Sequence, residues 1–176
     1  MATEQDKTLG ALKIAIQMEI DGKQFYLKAS QASNNELGKK LLQSLAAEED
    51  CHRQTFEEIY NAIRNKKAWP RTDFQPDGGR GLRTIFAKAL EKMKSNIKAI
   101  PTELEAVQTA IAMESQTYDF YKSRSKIATY DTERDLYESL ATQESEHHRI
   151  LLDYFEFLKD PASWFVQKEH PSLDGG

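Results

Sequence analysis

Two short runs of the chain, Glu49-Asp50-Cys51-His52 and Glu144-Ser145-Glu146-His147, each place a carboxylate and an imidazole three residues apart. On a helix, positions i and i+3 share a face, so each pair would aim both donors at one point. That face should be buried. The first pair interrupts an apolar stripe of Leu42, Leu45, Phe56, Ile59 and Ile63, and the second interrupts Tyr137, Leu140, Leu151, Tyr154 and Leu158. Two more glutamates fall at the same kind of level in two other stripes. Glu19 lies among Leu9, Leu12, Ile16, Lys23 and Tyr26, and Glu114 among Leu104, Val107, Ile111, Tyr118 and Tyr121.

Four carboxylates facing one another in an apolar core repel, and each unpaired buried charge costs several kcal/mol. Lys23, alone and near one end of the layer, cannot neutralise them. Two divalent cations can, because four charges of −1 balance two of +2. A lone Glu-x-x-His is weak evidence in a glutamate-rich helical chain. Six polar residues on one level, with three of the four histidines at or beside the motifs, point to a metal site. Mixed carboxylate and imidazole donors suit iron or manganese and leave zinc open, while the absence of a thiolate set disfavours structural zinc.

The elements that must hold these donors follow from spacing. All four stripes alternate steps of three and four, the pattern of helices packed in a bundle. Ser33-Asn34-Asn35 makes a short turn, so the first two helices should be antiparallel neighbours. Pro101 and Thr102, with Glu105, open the third helix with a capping box, Asp131 and Thr132 offer caps for the fourth, and Pro161 marks its end. Adding 95 to the numbers of the first stripe gives the third, and adding 95 to the second gives the fourth: 19 becomes 114, 26 becomes 121, 49 becomes 144 and 52 becomes 147. A helix pair has been used twice, which predicts approximate two-fold symmetry. The expected organisation is a single all-α domain over residues 1–176. It comprises a helix pair at 4–66, a crossover at 67–100, a second pair at 101–160 and a tail at 161–176. The crossover is too long for a plain loop. Leu82, Ile85, Phe86, Leu90, Met93 and Ile97 predict a short amphipathic helix within it.

Bulk properties narrow the class. A chain of 176 residues can bury one good core. A net charge of −4 and pI near 5.6 argue against a general nucleic-acid binder, and no apolar run reaches the roughly 20 residues of a membrane span. The start, MATEQDKTLG, lacks an apolar signal core, and the single cysteine, Cys51, excludes an intrachain disulfide framework. The expectation is a cytoplasmic protein.

At this level of detail the chain resembles the ferritin-like superfamily and, within it, the rubrerythrins. AIQMEIDGKQFY and AIAMESQTYDFY are similar to rubrerythrin first and third helices, and LAAEEDCH and LATQESEH to the second and fourth, over about residues 8 to 160. The resemblance implies a ferritin-like antiparallel four-helix bundle with one long crossover and two iron ions per chain. It implies Glu19 and Glu114 as terminal ligands, Glu49 and Glu144 as bridges, His52 beside Glu19's iron and His147 beside Glu114's. Tyr26 and Tyr121 become candidate hydrogen-bond donors to those carboxylates, although an ordinary aromatic core role fits them too. Tyr118 and Tyr137 are weaker candidates of the same kind. The implied activity is that of a di-iron peroxidase or oxidase: an oxidoreductase reducing hydrogen peroxide or dioxygen, in a homodimer, with electrons from an external donor such as a rubredoxin-like protein.

Two departures bear on that activity. Rubrerythrins usually carry a further glutamate three residues after the third-helix ligand, and here that residue is Thr117. The ligand set is therefore closer to the symmetric four-glutamate, two-histidine set of bacterioferritin, which keeps ferroxidase and iron storage open, as well as a structural metal-binding bundle. With one cysteine, no four-cysteine rubredoxin-like domain is expected in this sequence. Cys51, about 160° around the helix from Glu49, and His148, about 100° from His147, should point off the metal face. The crossover helix carries Arg83, Lys88, Lys92, Lys94 and Lys98, either a docking face for an acidic donor or a solvated surface. Trp164 and Phe165 should fold the tail back onto the bundle or a second subunit.

Overall fold

The computed structural model describes residues 3–66, 68–92 and 101–169, apart from the side chains of residues 165 and 167–169. The described chain is helical. Helices α1 (Glu4–Ala32) and α2 (Glu36–Arg64) form one pair, and α4 (Pro101–Ile127) and α5 (Asp131–Lys159) the other. Helix α3 (Arg80–Lys92) lies in the crossover, and α6 (Pro161–Glu169) follows α5. This is the all-α bundle with a crossover helix that the spacing predicts, and it fits the ferritin-like architecture that the resemblance implies.

Local chemistry sets the ends. Thr3 caps α1 in a reciprocal box with Asp6, and Asn35 caps α2 by accepting from the Gly38 amide at 2.7 Å. The start of α5 differs from expectation. Its N-cap is Tyr130, which has no side-chain cap, and Asp131 is the first helical residue. Glu133, reaching back to accept from the Thr129 amide at 3.0 Å, ties down that turn instead.

The core is two apolar clusters with a polar level between them. One contains Leu37, Leu41, Leu45, Val107, Ile150, Leu151 and Phe157, and the other Leu12, Phe56, Ile59, Tyr137 and Leu140. At roughly 25 cal/mol per Å² of apolar surface buried, these clusters supply the driving force that holds the polar level out of water. Every stripe residue expected in α2 and α5 is buried. In α1 and α4 the buried face uses small residues, Ala11, Ala15, Gly22 and Ala110, which let the helices approach closely. Lys23 is consequently displaced from the core and pairs with Asp50 at 2.9 Å.

The crossover covers one side. Trp69 packs on Tyr137, with ring centroids 6.1 Å apart. Gly78 and Gly79, with φ of 66° and 75°, turn the chain into α3, and the Asp77 carboxylate accepts from the Gly79 and Gly81 amides at 2.8 Å each. Leu82, Phe86 and Ala89 bury α3 against the bundle. Trp164 of α6 packs edge-on against Phe86 and Phe157, so this part of the tail does fold back on the bundle. Met93, Lys94, Ile97 and Lys98 lie outside the described residues.

Candidate metal centre

The six polar residues converge between the two apolar clusters. Glu19, Glu49, His52 and Glu144 each offer a ligand atom within 4.8 Å of the others, and so do Glu49, Glu114, Glu144 and His147. The two groups share Glu49 and Glu144. All six side chains are buried, with Glu19, Glu144 and His147 at 0% exposure. The Nδ1 of His52 lies 3.3 Å from Glu19 Oε2 and 3.2 Å from Glu144 Oε1. The Nδ1 of His147 lies 3.0 Å from Glu49 Oε1, 3.5 Å from Glu114 Oε1 and 3.6 Å from Glu144 Oε2.

These atoms are close without being aligned as hydrogen bonds. Glu19 Oε2, Glu49 Oε1, both Glu144 oxygens and the Nδ1 atoms of both histidines have no hydrogen-bond partner. Buried polar atoms are nearly always paired, because an unmet one costs roughly 1–3 kcal/mol. Six orphaned donor atoms aimed at one another fit a group of metal cations.

The metal-free electrostatics show the same strain. Burial, with Glu49 nearby, holds the Glu19 carboxyl well above the usual carboxylate range. Burial and Glu144 raise Glu114 to about 8. Burial alone would lower the two imidazoles, yet the carboxylates facing them, Glu19 and Glu144 for His52, Glu114 and Glu144 for His147, push both well above their ordinary value. Glu144 is opposed by burial and Glu49 but is drawn below its ordinary range by Glu114 and both histidines.

The tyrosines cross between the halves. Tyr26 of α1 donates its hydroxyl to Glu114 of α4, and Tyr121 of α4 donates to Glu19 of α1. Burial, with the same carboxylates, raises both phenols well above their ordinary value. Tyr137 instead packs on Phe56 and Tyr121, its hydroxyl unpartnered, and burial pushes it to about 12. Tyr118 is half-buried. Thr117 spends its hydroxyl on the Met113 carbonyl at 3.1 Å and offers nothing to the centre. Cys51 is exposed, off this face.

Three features escape the stripe pattern. Glu48 accepts from Gln143 Nε2 at 2.5 Å and lies 2.8 Å from His147 Nε2. A polar residue immediately before the glutamate of each Glu-x-x-His pair, Glu48 and Gln143, is the available signal. Gly22 backs the centre, since a Cβ there would stand 3.1 Å from Glu49 Oε2. Phe74, from the crossover loop, sets its ring against His52, centroids 5.4 Å apart.

Two clefts reach the centre. One, of about 520 Å³, is lined by His52, Glu48, Gln143, Phe74, Glu58 and Asp73 among others. The second, of about 320 Å³, lies between α4 and α5 and is lined by Glu114, Glu144, Tyr118 and His148 among others.

A two-fold-repeated helical bundle with a buried glutamate–histidine group defines a ferritin-like protein. The rubrerythrin family model matches residues 10–155 and, overlapping them, 105–172, and the chain belongs to that family. The second match begins within the second half of the internal repeat. Searches of curated proteins and of solved structures each return no match. Among the described residues, no helix is long and apolar enough to cross a membrane.

Proposed function

We propose that the buried group is a di-iron centre that reduces hydrogen peroxide or dioxygen with electrons from an external donor, such as a rubredoxin-like protein. The observation that carries this reading is the convergence of unpartnered carboxylate oxygens and imidazole Nδ1 atoms in two groups that share Glu49 and Glu144. Glu19, Glu49, His52 and Glu144 would hold one ion and Glu49, Glu114, Glu144 and His147 the other, with Glu49 and Glu144 common to both groups. Manganese or zinc would find the same donors. Two Fe(II) ions held there would supply the two electrons that, with two protons, take one hydrogen peroxide to two waters, an external donor returning the electrons.

The chain's own residues do the rest. Tyr26 and Tyr121 fix the rotamers of Glu114 and Glu19 by hydrogen bonding from the opposite half. Tyr121, Phe56 and Tyr137 pack in tilted ring contacts on one side of the level, and Leu45 and Ala46 belong to the apolar cluster on the other, limiting bulk water. The clefts at His52 and at Glu114 leave room for a molecule as small as peroxide.

A second reading has iron itself as the substrate, oxidised for storage. It is favoured by the acidic lining of the larger cleft, where Glu48, Glu58, Asp73 and Asp77 would draw cations inward. An anaerobic Fe(II) titration of metal-free protein, followed by matched additions of peroxide and dioxygen, separates these outcomes. Saturation at two irons per chain with faster oxidation by peroxide is expected. Faster oxidation by dioxygen would indicate an oxidase, uptake far beyond two irons would indicate storage, and no saturable binding would refute the metal centre.

A further inference from the structure

We propose that Glu48 is a positioning residue that makes the two metal positions unequal. The position served by His147 fills first, and the position served by His52, beside the larger cleft, holds the exchangeable metal. The inference rests on the metal-centre reading above and adds an order to it.

The argument begins with a broken symmetry. The mates at 95 residues' separation are identical at all six ligand positions and at Tyr26 and Tyr121, but Glu48 maps to Gln143. These two mates face each other across the axis between α2 and α5, Gln143 Nε2 donating to Glu48 Oε2 at 2.5 Å. The same carboxylate oxygen lies 2.8 Å from Nε2 of His147. An imidazole that gives its Nε2 proton to a carboxylate has its tautomer fixed, with the Nδ1 lone pair free to face the centre. The carboxylate also strengthens that lone pair as a donor, an effect whose removal typically costs about 10–100-fold in metal affinity.

His52 has a different environment. The residue related to Glu48 by the repeat is an amide, its Nε2 is spent on Glu48, and its Oε1 has no hydrogen-bond partner. Beyond the donor groups, the His147 ring has the Glu48 carboxylate, whereas the His52 ring packs roughly perpendicular to the Phe74 ring. His52 also lines the 520 Å³ cleft, which His147 does not. The weaker donor and the larger cleft therefore coincide on one position, while the stronger donor serves the position beside the smaller cleft, which reaches Glu114 and Glu144 but not His147.

The test uses Glu48→Gln, which preserves shape and keeps an acceptor oxygen while removing the charge. Metal-free full-length chains, wild type and E48Q, are titrated anaerobically with Fe(II). The wild type is expected to bind its first iron about tenfold or more tightly than its second. E48Q should weaken the first step about tenfold, leave the second unchanged and still reach two irons per chain. The spectroscopic counterpart is a sample loaded with one equivalent of ⁵⁷Fe(II). The wild type should give one ferrous Mössbauer doublet, whereas E48Q should give two of comparable area. Gln143→Glu, which gives the His52 side its own carboxylate, should tighten the second step. A single unchanged doublet in E48Q, equal weakening of both steps, or a lower melting temperature with an unchanged affinity ratio would each overturn the inference. A wild type that binds no metal would instead refute the centre itself, so the two failures are distinct.

Discussion

The two helix pairs, α1–α2 and α4–α5, carry the same residues where they face the centre and different ones where they face away. Glu19 and Glu114, Glu49 and Glu144, His52 and His147, and Tyr26 and Tyr121 are repeat mates. Around them, Gly22 maps to Thr117, Glu48 maps to Gln143, and the outer trio Lys23, Asp50 and Arg53 becomes Tyr118, Ser145 and His148. In the first pair that trio is joined by ion pairs of 2.9 and 2.8 Å. In the second pair the same positions line an open cleft reaching Glu114 and Glu144. The lesson is that the halves agree at the level where four mutually repelling carboxylates would need two divalent cations to balance them. The surroundings are free to specialise each half.

The largest effect is expected from removing the residues the halves share. Glu49→Ala together with Glu144→Ala takes one member common to both groups from each pair. Paired metal binding should be abolished while helical circular dichroism persists, since the apolar clusters on either side are untouched. Undiminished binding in this variant would mean that the two pairs do not meet at a common centre.

A smaller effect separates the metal-free from the loaded state. Without metal, Glu114 titrates near 8 against an ordinary 4.5, Glu19 is raised well above the same value, and both histidines are raised. Each of these groups binds more protons folded than unfolded in this range, so stability falls as pH rises from about 5 to about 8. Glu144 is shifted the other way, and its contribution is lost only as pH falls below the ordinary glutamate range. Metal displaces the stored protons, so loading at neutral pH should release protons and abolish the decline. Thermal unfolding between pH 5 and 8, with and without metal, checks this, at about 2–4 °C for each kcal/mol. Glu19→Gln and Glu114→Gln should each shrink the decline. If only one does so, the halves are unequal in proton storage as well as in their surroundings.

Much of this was legible before the fold was known, and the limits have physical causes. In α2 and α5 large apolar residues mark the buried face at every turn, so the stripes and the polar level stand out. In α1 and α4 the buried face is partly Ala11, Ala15, Gly22 and Ala110, whose small side chains give a weak period, and Lys23 was drawn into the stripe by spacing alone. The donors converge as the repeat implied, because the repeat fixes their level on all four helices at once. Glu48 could not be assigned, since its partner on α5 depends on how the two pairs are rotated against each other. Phe74 belongs to a loop with no period to read. The start of α5 was misplaced because Glu133, inside the helix, does the work expected of a cap at Asp131.

The smallest effect should come from making one outer groove like the other. Asp50→Ser gives α2 the residue that α5 has at the mate position, removing the anchor for Lys23 and Arg53. Both ion pairs are partly exposed, so the loss should be about 0.2–1 kcal/mol each, a fall in melting temperature of no more than a few degrees. Contacts from Lys23 and then Arg53 hold the Asp50 carboxyl down at about 2. Its contribution is therefore present above the ordinary value of 3.8 and lost as pH falls toward 2, so variant and wild type should converge in acid. Equilibrium metal affinity should stay within about threefold, because Asp50 is absent from both donor groups. The informative quantity is the rate at which a chelator strips metal from loaded protein. If the ion pairs seal α1–α2 as the geometry indicates, stripping should accelerate in Asp50→Ser, the groove now resembling the open one between α4 and α5. An unchanged rate would mean that traffic to the centre runs through the clefts at His52 and Glu114 alone, and that the charged trio seals nothing.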